Sequence, residues 1–183
     1  MLEHSLIEHC APTLAGLKSA NLFNYRFHTK EQALIEIQEA NLKLNFRGVY
    51  IEALSWTTEM VLIYTYRKSH LQRELQQEAA QYLLSQYGYT DFSVDACVEK
   101  LKERLDSYEY FPHEIGIFLG YPLEDVVGFI ENRGKNCKCC GLWKVYCNER
   151  EKQVLFNKLR KCTMIYLQVF AQGRSITQMT VSA

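Results

Sequence analysis

The start of the chain shows hydrophobic residues at helical spacing, interrupted by one proline. Leu2, Leu6 and Cys10 fall on one side of a predicted short helix. Pro12 should end this helix and open a second one, because the residue before a proline avoids helical geometry and proline is favoured at the first position of a helix. The pattern therefore places Cys10 close to a helix N-terminus.

The next predicted helix opens at Thr29, which has the spacing of a capping box with Gln32. After Gly48 the period changes from that of helices to that of strands. The runs VYIEALSW and EMVLIYTYR are rich in β-branched and aromatic residues, so they predict two antiparallel strands between residues 48 and 67. The Thr-Thr connection lacks the chemistry of a two-residue turn, which predicts a longer loop.

Helical spacing returns between residues 69 and 133. A stripe that begins at Leu71 predicts a helix that Gly88 ends, and Ser93 can cap another. The segments HEIGIFLG and LEDVVGFIEN then predict two short helices joined by a tight Gly-Tyr-Pro turn. The acidic residues of the second segment argue against a helix-turn-helix DNA reader, because phosphate would repel them.

A strand and one long helix complete the prediction. The alternating run GLWKVY predicts a third strand beside the first two, and Asn148 can cap a helix from about residue 149 to 171. The predicted fold is α+β, with a small antiparallel sheet of three to four strands packed with about seven helices. The predicted parts of this single domain, residues 1–183, are N-terminal helices at 2–44, a β-hairpin at 48–67, a helical region at 69–133, and a strand with a long C-terminal helix at 141–172.

Composition and charge narrow the function classes. The 183 residues are 48% hydrophobic, which allows a sizeable core, and 21 basic residues balance 21 acidic ones. A formal net charge of zero argues against a dedicated nucleic-acid-binding protein, which normally shows a basic excess. No apolar run reaches the roughly 18 residues that a bilayer crossing needs, and the first residues lack the pattern of a signal peptide. We therefore expect a cytoplasmic protein with neither a nucleic-acid nor a membrane partner.

The chain has seven cysteines, which favours reduced thiols, a metal or a reactive cysteine over a disulfide framework. Cys137, Cys139, Cys140 and Cys147 form the densest group, and thiolates suit zinc, copper(I) or iron–sulfur centres. Their C-x-C-C-x6-C spacing is poor for zinc, and a straight strand leading to Cys147 would span about 23 Å. A metal site at the first three cysteines therefore stays open beside the interpretation that they are half-buried loop residues.

Two further residues have candidate chemistry. His113 follows a Phe-Pro pair at a predicted helix start, where it is either a general base, a metal ligand, or an ordinary first-turn residue. Cys10 at a helix N-terminus would have a lowered pKa, because the helix dipole favours the thiolate. If the fold brings the two together, they form a nucleophile–base pair, although nothing in the sequence shows that they meet.

Three motifs together resemble one known family. They are HCAPTLAGLKSANLF near the start, FPHEIGIFLGYPLEDVVGFI in the middle and CGLWKVY before the last long helix. The resemblance covers about residues 8 to 178 and is to a bacterial family, common in anaerobes, that is catalogued as a domain of unknown function. It implies that Cys10, His113 and Cys140 belong to the family pattern, whereas the other cysteines between 137 and 147 do not. The family has no established activity, so the resemblance implies no catalytic roles.

Three functional hypotheses follow. The first is a binding or accessory protein whose pocket takes an anionic small molecule or a redox cofactor, because the distinctive residues lie in turns and at helix starts where backbone N–H groups are free. The residues expected to line this pocket are Cys10, Lys18, His113, Tyr121, Trp143 and Lys144. The second hypothesis is a hydrolase or thiol-dependent transferase that uses Cys10 and His113. The third is a thiolate metal protein that uses Cys137, Cys139 and Cys140.

Overall fold

A computed structural model describes residues 1–107 and 111–182, and it has helices, one three-stranded antiparallel sheet and one two-stranded sheet in these ranges. The helices are α1 (Leu2–Leu14), α2 (Lys30–Leu44), α3 (Lys68–Leu75), α4 (Glu78–Ser85), α5 (Val94–Ser107), α6 (Ile115–Phe118), α7 (Leu123–Glu131), α8 (Glu149–Ala171) and α9 (Ile176–Met179), with a 3-10 turn at Asn45–Arg47. The strands are β1 (Ala20–Arg26), β2 (Val49–Trp56), β3 (Met60–Arg67), β4 (Cys139–Cys140) and β5 (Lys144–Val145). The predicted α+β class with a small antiparallel sheet is confirmed.

The chain forms two compact units. The terminal unit comprises Met1–Leu71 and Cys162–Ala183, and the central unit comprises Gln72–Lys161. The assignment of residues 1–183 to one domain stays a prediction. No helix in the described ranges combines the length and the apolar character that a bilayer crossing requires.

The three-stranded sheet belongs to the terminal unit and has the order β1-β3-β2, with both pairs antiparallel. The central strand β3 is buried almost continuously from Val61 onward, as expected for a strand with neighbours on both sides and covered faces. At its end the guanidinium of Arg67 is buried and donates to the carbonyl oxygens of Thr13, Leu14 and Val181. This side chain therefore joins the sheet to the end of α1 and to the C-terminal segment.

The hairpin predicted at 48–67 is confirmed as β2 and β3. Its loop has the three residues 57–59, and the Thr57 hydroxyl accepts hydrogen bonds from the backbone N–H groups of Glu59 and Met60. The predicted N-cap of α2 is also confirmed, because the Thr29 side chain accepts from the backbone N–H of Gln32.

The helix break predicted at Pro12 is wrong. Helix α1 continues through Pro12 to Leu14, so the proline, which has no N–H to donate to the carbonyl one turn earlier, is accommodated inside the last turn of the helix. Cys10 therefore lies inside a helix, far from its N-terminus. The second helix expected after Pro12 is replaced by a turn and by strand β1, which was not foreseen within the segment 2–44.

Two later expectations also need correction. The stripe from Leu71 toward Gly88 forms two helices, α3 and α4, in place of one. The run GLWKVY contributes only the two-residue strand β5, which pairs with β4 in a separate hairpin and does not extend the main sheet. The tail SITQMTV forms helix α9, whose start carries a reciprocal capping box between Ser175 and Gln178.

The central unit has its own apolar cluster around the β4–β5 hairpin. Trp143, Val145, Phe156 and Leu159 form this cluster, with Tyr121 and Cys139 packed against its edge. The predicted pair of short helices is confirmed as α6 and α7, and the predicted long helix is confirmed as α8. These elements position the candidate site.

Candidate functional site

The central unit contains a pocket of about 370 Å³ beside helices α6 and α7, which we call the α6–α7 pocket. Its lining is mostly apolar and aromatic. The lining residues are Phe111, His113, Ile115, Gly116, Leu119, Tyr121, Asp125, Val126, Phe129, Leu142, Trp143 and Lys144. Two of the three sequence motifs described above, FPHEIGIFLGYPLEDVVGFI and CGLWKVY, therefore contribute to one cavity.

The pocket has a buried floor and an exposed apolar rim. Ile115, Leu119 and Val126 are buried, whereas Phe111 is 49% exposed and Leu142 is 42% exposed. Apolar side chains left in water at the edge of a concave site gain free energy when a partner covers them. A ligand that enters the pocket would therefore contact apolar side chains both at the exposed rim and at the buried floor.

Close packing of α6 on α7 depends on a missing side chain at Gly116. A Cβ at this position would lie 2.7 Å from Cγ2 of Val126, which is closer than two non-bonded carbon atoms approach each other. Between the two helices, Gly120 adopts a φ of 66°, a conformation that glycine takes at little cost. Pro122 then precedes the first turn of α7. The Gly-Tyr-Pro turn predicted from the sequence therefore sets the angle of the pocket wall.

Asp125 fixes the β4–β5 hairpin to α7. Its side chain is 1% exposed, and Oδ2 accepts from the indole Nε1 of Trp143 at 2.8 Å. Oδ1 accepts from the backbone N–H groups of Tyr146 and Cys147 at 2.8 and 3.3 Å. One carboxylate thus satisfies three N–H donors and holds the Trp143 ring in place.

Trp143 is also held by two other rings. The Tyr121 ring stacks on it with centroids 4.7 Å apart and an interplanar angle of 25°, and Phe156 meets it edge-on with centroids 4.5 Å apart. Burial raises the pKa of Tyr121, so its phenol stays protonated at neutral pH. The aromatic wall is therefore rigid and is formed before any ligand arrives.

His113 and Lys144 both lie near the Phe129 ring. The imidazole meets that ring edge-on, with centroids 4.9 Å apart. The Lys144 ammonium lies 5.7 Å from the ring centroid and donates to the Gly134 carbonyl oxygen at 2.7 Å. These two nitrogen-bearing groups give an otherwise apolar pocket its basic side.

Glu114 has a structural environment distinct from that of its neighbour His113. It is fully buried, its Oε1 accepts from the guanidinium Nε of Arg104 in α5, and the Tyr89 hydroxyl donates to the same oxygen at 3.4 Å. Burial, followed by the negative charge of Glu114, raises the pKa of Tyr89. Because Glu114 precedes α6, this cluster fixes the start of the helix that carries Gly116 into the pocket wall.

Cys10 and Lys18 belong to the terminal unit and do not line the α6–α7 pocket. Cys10 is fully buried, and burial raises the pKa of its thiol to about 12 despite the nearby Thr65 hydroxyl and Lys18 ammonium. Burial in turn lowers the pKa of Lys18 to about 7. The expected lowering of the Cys10 pKa is therefore wrong. Cys10 does not lie at a helix N-terminus, and its desolvation disfavours the charged thiolate.

The four cysteines in and around the β4–β5 hairpin differ in solvent exposure. Cys140 is exposed, while Cys137, Cys139 and Cys147 are partly buried, and all four are free thiols. Among the described residues, no three His, Cys, Asp or Glu side chains are arranged so that they could hold a metal ion. Cys139 and Cys140 are adjacent strand residues, whose side chains point to opposite faces.

Sequence reasoning missed Asp125, Phe129 and Leu142 as site residues. A signal for the first two was present, because Asp125 lies four residues before Phe129 and next to Val126, on the apolar stripe of α7. A carboxylate on the buried stripe of an amphipathic helix needs buried donors. Nothing local marked Leu142, whose role depends on how the hairpin folds.

Comparisons with known proteins agree with the motif resemblance. The model of one protein family, described as Protein of unknown function (DUF3793), matches residues 6–180. Searches of the curated proteins and of the solved structures found no match.

Proposed function

We propose a binding function for this chain, which belongs to the DUF3793 family of proteins of unknown function: it holds a small, largely apolar molecule in the α6–α7 pocket. The observation that carries the proposal is the pocket itself, a concave apolar cavity with a few polar groups at fixed positions. This combination is typical of small-molecule sites, whose volumes run from about 300 to 1,000 Å³.

The fixed position of the aromatic wall also supports a binding function. Trp143 is fixed by the Asp125 hydrogen bond and by Tyr121, so its position costs no ordering when a ligand enters. A ligand would also cover Phe111 and Leu142 at the rim, and each buried apolar Å² contributes about 25 cal/mol. Both effects lower the free energy of the complex.

The size of the pocket narrows the class of molecule. A volume of about 370 Å³ lies near the lower end of the range for ligand pockets. We therefore expect a compact molecule with one or two rings or a short chain. A dinucleotide redox cofactor would extend well beyond the cavity.

No specific observation favours the two other hypotheses. A buried thiol with a raised pKa is a poor nucleophile, which removes the basis for choosing Cys10 as the catalytic group. His113 at the rim keeps a role as a polar contact for the ligand. The cysteines at 137, 139 and 140 stay predicted metal ligands without geometric support.

A fragment panel tests the proposal. About a hundred single-ring and two-ring compounds, neutral and charged, are screened by thermal shift, and hits are titrated by calorimetry. We expect saturable binding that Phe111→Ala and Leu142→Ala each weaken by about fivefold, since each removes part of the buried apolar area.

Matched controls come from exposed apolar residues outside the pocket. Tyr82 and Val154 are each 71% exposed in the central unit, so Tyr82→Ala and Val154→Ala remove apolar surface elsewhere. These variants should leave affinity unchanged. The proposal is contradicted if no compound binds saturably, or if the control variants weaken binding as much as the rim variants do.

A further inference from the structure

We infer that the ligand of the α6–α7 pocket carries a negatively charged group, of the carboxylate type, on an apolar body, and that Lys144 binds this group. The inference rests on the proposed function and names its ligand class. The inference is argued from the hydrogen bonds of the polar groups in the lining. Some of these groups already have partners within the protein, and others retain unused donors.

The acidic group of the pocket already has most of its hydrogen-bonding capacity filled. Asp125 is the carboxylate of the lining, and three N–H donors occupy its two oxygens. These donors also offset its negative charge. A ligand amine would therefore find one of the roughly four acceptor sites of this carboxylate open. Displacing the Trp143 bond would leave a buried indole N–H unsatisfied.

Lys144, by contrast, retains donors. Its ammonium carries three N–H groups, and within the described part of the chain its one hydrogen bond is to the Gly134 carbonyl. The ammonium is also held near the Phe129 ring, so it is ordered without the help of a ligand. A partly buried, positioned cation beside an apolar cavity is suited to an anion, because low local dielectric strengthens the attraction.

His113 contacts the same Phe129 ring and lines the same pocket. A neutral imidazole can donate one hydrogen bond to an oxygen, and an imidazolium can donate two. Acceptor oxygens on the ligand therefore match both nitrogen-bearing groups. The apolar remainder of the ligand would lie against Ile115, Leu119 and Val126 at the floor.

Three molecules with one carbon skeleton test the inference. The probes are 3-phenylpropanoate, 3-phenylpropanamide and 3-phenylpropylamine, which differ at one end in charge and in hydrogen-bond donors and acceptors. We expect calorimetry at low salt to give about tenfold tighter binding of the carboxylate than of the amide, and the weakest binding for the amine. The advantage of the carboxylate should shrink at high salt.

Variants at Lys144 assign the effect to one side chain. Lys144→Gln should bring the carboxylate and the amide to equal affinity, whereas Lys144→Arg keeps the charge and should retain most of the preference. Lys138→Gln removes an exposed lysine of the same hairpin region and should change nothing. Amide-proton spectra of each variant confirm that the fold is kept.

Each remaining outcome is decisive. Equal affinity for the carboxylate and the amide in the natural chain overturns the inference but leaves the proposed binding function standing. Preference for the amine, or a preference for the carboxylate that survives in Lys144→Gln, also overturns it. If none of the three probes binds saturably, the inference fails, and the fragment panel then decides separately whether the pocket binds other molecules.

Discussion

At the residue scale, the position of the pocket wall depends on Asp125. Replacing it with alanine would leave the Trp143 indole N–H and the backbone N–H groups of Tyr146 and Cys147 without their buried acceptor. We expect Asp125→Ala to lower the free energy of unfolding by about 2–4 kcal/mol, measured by urea denaturation. The adjacent Glu124 is exposed, so Glu124→Ala should cost less than about 1 kcal/mol. Equal effects of the two substitutions would show that the Asp125 bonds do not hold the hairpin.

Lys18 gives a prediction about pH. Burial lowers its pKa from 10.5 in the unfolded chain to about 7 in the folded one, so between these values the unfolded chain binds more protons. Stability must then rise with pH, by about 2 kcal/mol between pH 7 and 9. As the pH approaches 9.0, the ordinary pKa of this thiol, ionisation of Cys10 in the unfolded chain increasingly opposes the trend, because burial keeps the thiol protonated in the folded state.

Lys18→Met should therefore raise the free energy of unfolding at pH 7 and flatten its dependence on pH between 7 and 9. Lys30 is exposed, and Lys30→Met is the matched control. Urea titrations at several pH values measure both. An unchanged slope in Lys18→Met would mean that this lysine is as well solvated in the folded chain as in the unfolded one.

Some properties of single residues can be predicted from the sequence, and others cannot. Residue types in motifs singled out Tyr121, Trp143 and Lys144, and these three side chains line one pocket. The ionisation of Cys10 could not be read from the sequence, because its pKa depends on burial by parts of the chain far away in sequence.

At the element scale, the β4–β5 hairpin fits against α8 only because residue 141 has no side chain. A Cβ at Gly141 would overlap the ring of Phe156, which in turn packs against Trp143. We expect Gly141→Ala to destabilise the chain by about 1–3 kcal/mol, since a close-packed core cannot absorb an added methyl group without strain. In a Phe156→Leu background the same substitution should cost less. Additive effects in this double-mutant cycle, measured by urea denaturation, would contradict the close approach.

Elements whose apolar residues recur at a regular spacing could be predicted from the sequence, and elements without such a spacing could not. Strand β3 and helix α8 were found because their apolar residues recur at the spacing of a strand and of a helix. Strand β1 was missed because its buried residues, Ala20 and Phe23, are three positions apart, which is a helical spacing. Its strand form comes from pairing with β3, which no local pattern encodes.

At the scale of the whole molecule, the seven free cysteines should differ widely in reactivity. Cys140 is exposed, whereas Cys10 and Cys97 are buried and burial raises their pKa to about 12 and about 11. With iodoacetamide at pH 8, we expect mass spectrometry of tryptic peptides to show Cys140 labelled first and Cys10 last, because the thiolate is the reacting form.

Unfolding in urea should make all seven cysteines react at similar rates, which serves as the control for reagent access. Cys140→Ser should remove the fastest phase and leave the others unchanged. Labelling of Cys10 as fast as that of Cys140 in the folded chain would contradict both its burial and its raised pKa.

The central claim is that the α6–α7 pocket binds a ligand. The indole N–H signals of the two tryptophans of the chain test this claim most directly. Trp143 lines the pocket, whereas Trp56 belongs to β2 in the terminal unit and does not. In a ¹H–¹⁵N spectrum, titration with the tightest compound of the fragment panel should shift the Trp143 signal saturably and leave the Trp56 signal in place. A Trp143 signal that does not move, or equal shifts of both signals, would contradict the account.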